Sequence, residues 1–323
     1  MKNKEVVIRA ENISMEYPII GGIISRPVAH LSAVKDLSLE VYRGEILGLV
    51  GESGCGKTTL SSILLGIQKP TSGSIFFHGK DISKIRGREL RNMRKNMQMI
   101  YQDPYSSLSP RMTVEELIAE PLLVQKICNK KEAYRRVQHL LDVVGLDSSD
   151  AKRYASDFSG GQRQRIGIAR ALVLKPDFVV CDEPVSALDV SIHAQIINLL
   201  MMLQRELNLT YIFISHNLGA VRHVSTRTAV MYLGTIAEIA ETESIFETPL
   251  HPYTKALLSA IPQLNPDSES EQIILTGDVP SPINPPSGCR FRTRCPNCLN
   301  KCIQLTPELK EVSPGHQVAC HLY

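Results

Sequence analysis

An α/β fold, with a parallel sheet covered by helices on both faces, is the class this 323-residue sequence predicts. Three observations predict it. Short apolar, β-rich runs at 45–50, 177–181 and 211–215 alternate with segments of helical periodicity. A glycine-rich turn stands between the first of these runs and the helical segment that follows. Hydrophobic residues make up 43% of the chain and charged ones 21%, a globular balance that can bury a sizeable core and excludes a disordered chain.

Element by element, the first forty residues alternate apolar and polar positions (Val6-Val7-Ile8, then Leu37-Ser38-Leu39-Glu40-Val41), as half-buried strands do. The stretch 18–27 between them carries Gly and Pro and is expected to be a loop. Residues 45–50 (EILGLV) form a short buried strand, and 57–67 a helix. Pro70-Thr71-Ser72-Gly73 is a turn signal ahead of a strand at 74–77. From 113 to 145 Leu117, Ile118, Leu122, Leu123, Val137, Leu140, Leu141 and Val144 recur at helical spacing. The basic run 84–95 is expected to be a solvated helix face. Beyond about residue 235 prolines punctuate the chain (Pro249, Pro252, Pro262, Pro266, Pro280, Pro282, Pro285, Pro286), which marks an appended, loop-rich second unit.

Charge and hydropathy narrow the function. The 36 Lys and Arg against 33 Asp and Glu leave +3, too little for a nucleic-acid binder held by bulk charge. Met1-Lys2-Asn3-Lys4-Glu5 lacks the apolar stretch of a secretory signal, and no run approaches the ~20 apolar residues that cross a bilayer. A cytosolic chain is expected, with any membrane role exercised from outside the bilayer.

The chemistry is carried by spaced motifs. Gly51-Glu52-Ser53-Gly54-Cys55-Gly56-Lys57-Thr58-Thr59 reads G-x-x-x-x-G-K-[ST] between a strand and a helix. Its glycines let successive N–H groups curl around phosphate, and the positive end of the helix points at the same anion. Lys57 is expected to reach the β- and γ-phosphates, and the Thr58 hydroxyl to coordinate Mg²⁺. Phe178-Val179-Val180-Cys181 ends in Asp182 and Glu183: the first is placed to hold the Mg²⁺ shell, the second to polarise water as general base. Ser159-Gly160-Gly161-Gln162, ahead of a helix expected from about Gln164, offers a second anion cradle. One γ-phosphate cannot occupy two distant cradles on one subunit, so a head-to-tail dimer is the economical solution.

Together these motifs resemble the ABC transporter ATPases. The resemblance implies a parallel-sheet core, an antiparallel β subdomain and a helical subdomain, with residues 1–235 as the nucleotide-binding domain and about 100–165 as its helical part. It also implies roles for further residues. Gln102, in Tyr101-Gln102-Asp103-Pro104, matches the Q-loop glutamine that meets Mg²⁺ and the attacking water. Ser186-Ala187-Leu188-Asp189 matches the D-loop, His216 the switch histidine, and Tyr17 the aromatic that stacks on adenine. Two departures flank these residues: Phe158 stands before the cradle where the family has Leu, and Asn217 follows His216 where it has Asp. A narrower resemblance, carried by residues 99–112 and by His251-Pro252-Tyr253-Thr254-Lys255-Ala256-Leu257-Leu258, is to the oligopeptide/dipeptide importer ATPases, and the loop from Pro18 to His30 with Gly54-Cys55-Gly56 fits the second of their two ATPase subunits. It implies ATP and Mg²⁺ as cofactors, a peripheral place on the cytoplasmic face of the membrane, and three kinds of partner. These are a second ATPase subunit in a heterodimer, two permease subunits and an external solute-binding protein. Related systems carry nickel, opines or sugars. The rival classes are a soluble, non-transport ABC ATPase and a cluster-binding sensor.

Of eight cysteines, Cys289, Cys295, Cys298, Cys302 and Cys320 crowd the final 35 residues (236–323 being the expected C-terminal domain). Thiolates at Cys289, Cys295, Cys302 and Cys320 suit one 4Fe-4S cube or one Zn²⁺, with free thiols as the third alternative. Similar tails among the peptide-importer ATPases carry this four-cysteine pattern, and the resemblance favours iron–sulfur. Cys298, His316 and His321 widen the ligand choice.

Overall fold

The computed structural model describes residues 5–21, 26–261 and 272–323. Its strands, in chain order, are β1 (Val6–Gly21), β2 (Arg26–Tyr42), β3 (Ile46–Val50), β4 (Ser72–Phe77), β5 (Lys80–Asp81), β6 (Met97–Ile100), β7 (Phe178–Asp182), β8 (Thr210–Ile214), β9 (Arg227–Tyr232), β10 (Thr235–Glu241), β11 (Lys310–Ser313) and β12 (His316–Val318). They fall in two compact units: Tyr42–Glu45 and Lys84–Ile214 with the N-terminal residues up to Val7, and Ile8–Val41, Ile46–Ser83 and Ser215–Tyr323.

In the first unit β6, β7 and β8 pair in parallel, Met97 opposite Phe178 and Phe178 opposite Thr210. All five residues of β7 and of β8 are buried, which is why both read as continuous apolar runs and not as alternating ones. The helical pattern at 113–145 resolves into Val114–Val124 and Lys130–Val143. Thr113 and Glu116 close a capping box on the first, and Asn129 caps the second. The basic run forms the helix Gly87–Arg94, which buries no residue.

In the second unit an antiparallel sheet runs β2-β1-β4-β5. Separately, β3 pairs in parallel with β9, β10 folds back on β9, and β12 and β11 extend that edge. Leu233 and Gly234, both at positive φ (41° and 80°), make the two-residue turn between β9 and β10. The composition change near 235 falls on this turn.

Two local expectations are corrected. The stretch 18–27 is not simply a loop: β1 continues to Gly21 and β2 begins at Arg26, residues 22–25 lying outside the described ones. Pro18 lies beyond Ser14, where the pairing of β1 with β4 ends. The helix after the phosphate loop stops at Leu64, not at 67, because Gly66 (φ 63°) takes the left-handed position and returns its N–H to the Ile63 carbonyl.

Candidate functional site

The phosphate loop follows β3 in the second unit. Gly51, Gly54 and Gly56 have φ of 156°, 76° and 103°. A Cβ on Gly51 would lie 2.2 Å from the Met231 carbonyl oxygen, and one on Gly56 2.3 Å from that of Ala33, so neighbouring backbone forbids side chains there. A Cβ on Gly54 would meet nothing within 4 Å beyond its chain neighbours: the loop is held at both ends and open in its middle. Lys57, 7% exposed at the first position of the helix Lys57–Leu64, donates from Nζ to the Gly51 carbonyl at 2.8 Å and the Glu52 carbonyl at 3.1 Å. Cys55 is buried beside it, its Sγ 3.8 Å from Lys57 Nζ, and burial pushes its thiol up. The Gly234 N–H donates to the Cys55 carbonyl at 2.8 Å, tying the loop to the β9–β10 turn. Ser53 and Thr58 are exposed and Thr59 half-buried. An open cradle of amides, a lysine folded over its entrance and a hydroxyl at the following helix suit a triphosphate with Mg²⁺.

Two other expected residues lie in this unit. Tyr17, half-buried on β1, donates its hydroxyl to Gln68 Oε1. His216 is exposed, between β8 and the helix Leu218–Val224. Asn217 accepts from the Ala220 N–H at 3.1 Å as the cap of that helix, a task Asn and Asp perform equally, so the departure from the family is absorbed locally.

The other expected residues belong to the first unit. Asp182 is 5% exposed at the end of β7. Glu183 has φ 44°, a left-handed conformation rare for this side chain, and is locked there by its N–H donating to the Ile214 carbonyl at 3.0 Å. Gln102 Nε2 donates to Glu183 Oε2 at 3.2 Å, which brings together two residues 81 positions apart. Gln164, 2% exposed, donates to the Tyr101 carbonyl at 3.3 Å and steadies the backbone beside Gln102. Ser186 donates from N (3.1 Å) and Oγ (3.0 Å) to the Glu183 carbonyl, so the D-loop turns directly off the carboxylate.

The second cradle differs from expectation in one respect. Its helix begins at Gly160, not near Gln164, because Ser159 and Gln162 form a reciprocal capping box. The S-x-x-Q spacing carried that signal. A Cβ on Gly161 would meet Ile192 Cγ2 at 2.6 Å, and one on Gly160 would meet Leu188 Cδ2 at 3.1 Å, so both glycines serve close packing against the D-loop and the helix Val190–Leu207. Ser159 and Gln162 are exposed, as are Ala187 and Asp189. Phe158, the second departure, is buried under the Arg153 guanidinium at 4.5 Å.

The cysteine tail does not meet the expectation of a 4Fe-4S site. Cys289, Cys295, Cys302 and Cys320 lie near enough for Cys302, Cys320 and Cys295 to add to the rise of the Cys289 thiol, which burial first pushes up to about 11. Yet no three His, Cys, Asp or Glu side chains among the described residues converge to hold a metal ion. The donor type suits iron–sulfur or zinc but the placement does not, and no step is derived through either. The alternative ligands are engaged elsewhere: His316 Nε2 lies 2.7 Å from Glu238 Oε1, and His321 Nε2 2.8 Å from the Leu305 carbonyl. Cys298 is exposed. Sequence reasoning missed Glu238, which is fully buried and also accepts the N–H groups of Leu250 and His251. Its only signal was a carboxylate in the middle of the apolar run Ile236 to Ala240. Nor was Arg294 foreseen, whose ion pair with Glu52 (2.8 Å) reaches the phosphate loop.

Comparison with known proteins gives consistent results. Residues 34–186 match the family described as "ABC transporter", and 237–302 the one described as "Oligopeptide/dipeptide transporter, C-terminal region". The oligopeptide transport ATP-binding protein AppF of Bacillus subtilis (strain 168) is 49% identical over 324 residues, 99% of this chain and 98% of that protein. Among solved structures, the ATP-binding cassette MJ0796 in a dimeric post-hydrolysis state with ADP and Pi superposes with a TM-score of 0.65 at 26% identity, over 73% of this chain and 98% of that one. The cbiO1 protein of Clostridium perfringens, part of the ABC transporter complex cbiONQ, gives the same TM-score and identity over 76% of this chain and 93% of its own.

Proposed function

Because the chain belongs to the ABC transporter ATPases, in the branch of oligopeptide and dipeptide importers, we propose that its two cradles and its carboxylate pair form complementary halves of a shared ATP site. The chain is the ATP-binding and hydrolysing subunit that powers such an importer, with membrane permease subunits and a substrate-binding protein as partners. No helix among the described residues is long and apolar enough to cross a membrane, and it is the likeness to importer ATP-binding proteins that supports a peripheral place at the cytoplasmic face. The proposed division is a nucleotide-binding domain over 1–235, its helical part at about 100–165, and an importer-type C-terminal domain over 236–323.

ATP with Mg²⁺ supplies the phosphoanhydride whose hydrolysis drives transport. The chain's own residues divide the work. Backbone N–H groups from Gly51 to Thr59 hold phosphate oxygens, and Lys57 exchanges its two carbonyl partners for the β- and γ-phosphates. Thr58, Asp182 and Gln102 are the residues that would hold Mg²⁺, which would neutralise phosphate charge; Tyr17 would stack on the base and His216 would meet the γ-phosphate. Glu183 takes the proton of the attacking water, oriented by the Gln102 amide. Ser159, Gly160, Gly161 and Gln162 present the second cradle to the nucleotide of a second ATPase subunit, and Ser186 to Asp189 carry the state of one site to the other.

The carrying observation is the 3.2 Å Gln102–Glu183 contact at a residue held in a left-handed conformation. Replacing Glu183 by Gln should lower ATP turnover in the assembled transporter by roughly 10²–10⁴-fold, the scale of losing a general base, with ATP affinity retained. Unchanged turnover would overturn the assignment.

A further inference from the structure

Glu52, the second residue of the phosphate loop, is gripped twice by the C-terminal region. Its backbone N–H donates to the Tyr253 hydroxyl at 2.9 Å, 201 positions away. Its carboxylate accepts from Arg294 Nη1 at 2.8 Å and 3.1 Å, one bond to each oxygen. The ion pair is screened from water, Arg294 being 10% exposed and Glu52 26%. Such a charge-assisted contact is worth more than a surface pair.

Both grips are themselves held rigid. Tyr253 is fully buried at the start of the helix Pro252–Ser259, with Tyr232 (ring centroids 4.7 Å apart) and Phe291 (5.4 Å) against its ring. Phe291 is 2% exposed, and its carbonyl accepts the Arg294 N–H at 3.0 Å, which fixes the turn that presents the guanidinium. Four residues earlier Arg290 donates to the Leu233 carbonyl and to Ser32 Oγ (3.1 Å), beside the turn that bonds the Cys55 carbonyl. These two arginines directly follow or precede Cys289 and Cys295 in the chain.

We propose that Tyr253 and Arg294 are positioning residues of the nucleotide site, so that the cysteine-bearing tail sets ATP affinity through Glu52. The physical reason is preorganisation. Left-handed Gly54 and Gly56 leave the loop many conformations, and a cradle that must be ordered on binding loses affinity for each residue it has to fix. Lys57 restrains the Gly51 and Glu52 carbonyls only while it bonds them. Tyr253 and Arg294 restrain the same segment from groups that touch no phosphate and persist when Lys57 turns away.

The inference rests on reading Gly51 to Thr59 as the triphosphate cradle, and the test separates the two. In the full-length, nucleotide-free chain, hydrogen exchange at the amides of 51–57 should quicken in Arg294→Ala and in Tyr253→Phe, with the rest of the chain unchanged. With ATP, KM should rise about five- to tenfold while kcat stays within about twofold, the split expected when an anchor acts on a loop and not on the chemistry. Glu52→Ala should match Arg294→Ala, and the double variant should be no worse than either alone. Arg294→Lys should recover most of the loss. Additive losses, or unchanged exchange and KM in both Tyr253→Phe and Arg294→Ala, would overturn the proposal. Failure of the parent chain to bind ATP would overturn the cradle and leave the exchange result to judge the anchor.

Discussion

Gly54 and Gly56 stand two positions apart in one loop, both at positive φ, yet they are not equivalent. An L residue at either pays a left-handed penalty of about 1–2 kcal/mol. At Gly56 a Cβ also meets the Ala33 carbonyl oxygen at 2.3 Å, a backbone atom that cannot swing aside, whereas at Gly54 it meets nothing. Gly54→Ala should therefore cost only about 1–2 kcal/mol of unfolding free energy, and Gly56→Ala several kcal/mol. Urea unfolding of the two variants checks the ranking. Equal losses would mean that φ alone decides. The motif G-x-x-x-x-G-K-[ST] demands glycine at 56 and leaves 54 open, and the approach of residue 33 supplies the physical reason.

Helix starts show how an element absorbs what a motif comparison calls a departure. Asn217 caps Leu218–Val224 through its side-chain oxygen, and a seven-residue helix depends heavily on its cap. Asn217→Asp should change stability by less than about 0.5 kcal/mol, and Asn217→Ala should cost about 1 kcal/mol, measured by denaturant midpoint. What was legible in the sequence followed the same logic. Buried parallel strands announce themselves as apolar runs, and Gly51 to Thr59 as a spacing that little else requires. The capping box at Ser159 and Gln162 is equally local, and it starts the helix four residues ahead of the expected Gln164. Contacts such as Gln102 with Glu183, or Arg294 with Glu52, join residues 81 and 242 positions apart, and local spacing carries no record of them. The cysteines were legible as a group, but ligand type and spacing do not fix whether side chains converge.

At the scale of the whole molecule, acid stability reports on the C-terminal core. Burial holds the His251 imidazole near 4, well below its ordinary 6.5, while its Nδ1 accepts the Tyr253 N–H. Above about pH 6.5 the ring is neutral folded and unfolded, and contributes no pH dependence. As pH falls from there towards 4 the unfolded chain takes the proton first, so stability should drop by about 3 kcal/mol in total, a slope that His251→Asn should remove from urea unfolding. Assembly gives the larger test. If the Ser159 cradle serves a partner's nucleotide, Ser159→Arg should leave ATP affinity of the isolated chain within about twofold, since its own phosphates rest on Gly51 to Thr59. Turnover of the assembled transporter should fall by roughly 10²-fold or more, because an oversized cation replaces a small cap at the closing face. Lys57→Ala is the counter-case and should lose affinity in the isolated chain as well. Equilibrium binding of a fluorescent ATP analogue to both variants, read beside turnover in the complex, separates the halves. A Ser159→Arg chain that loses ATP as Lys57→Ala does would place both cradles on one nucleotide and end the shared-site account.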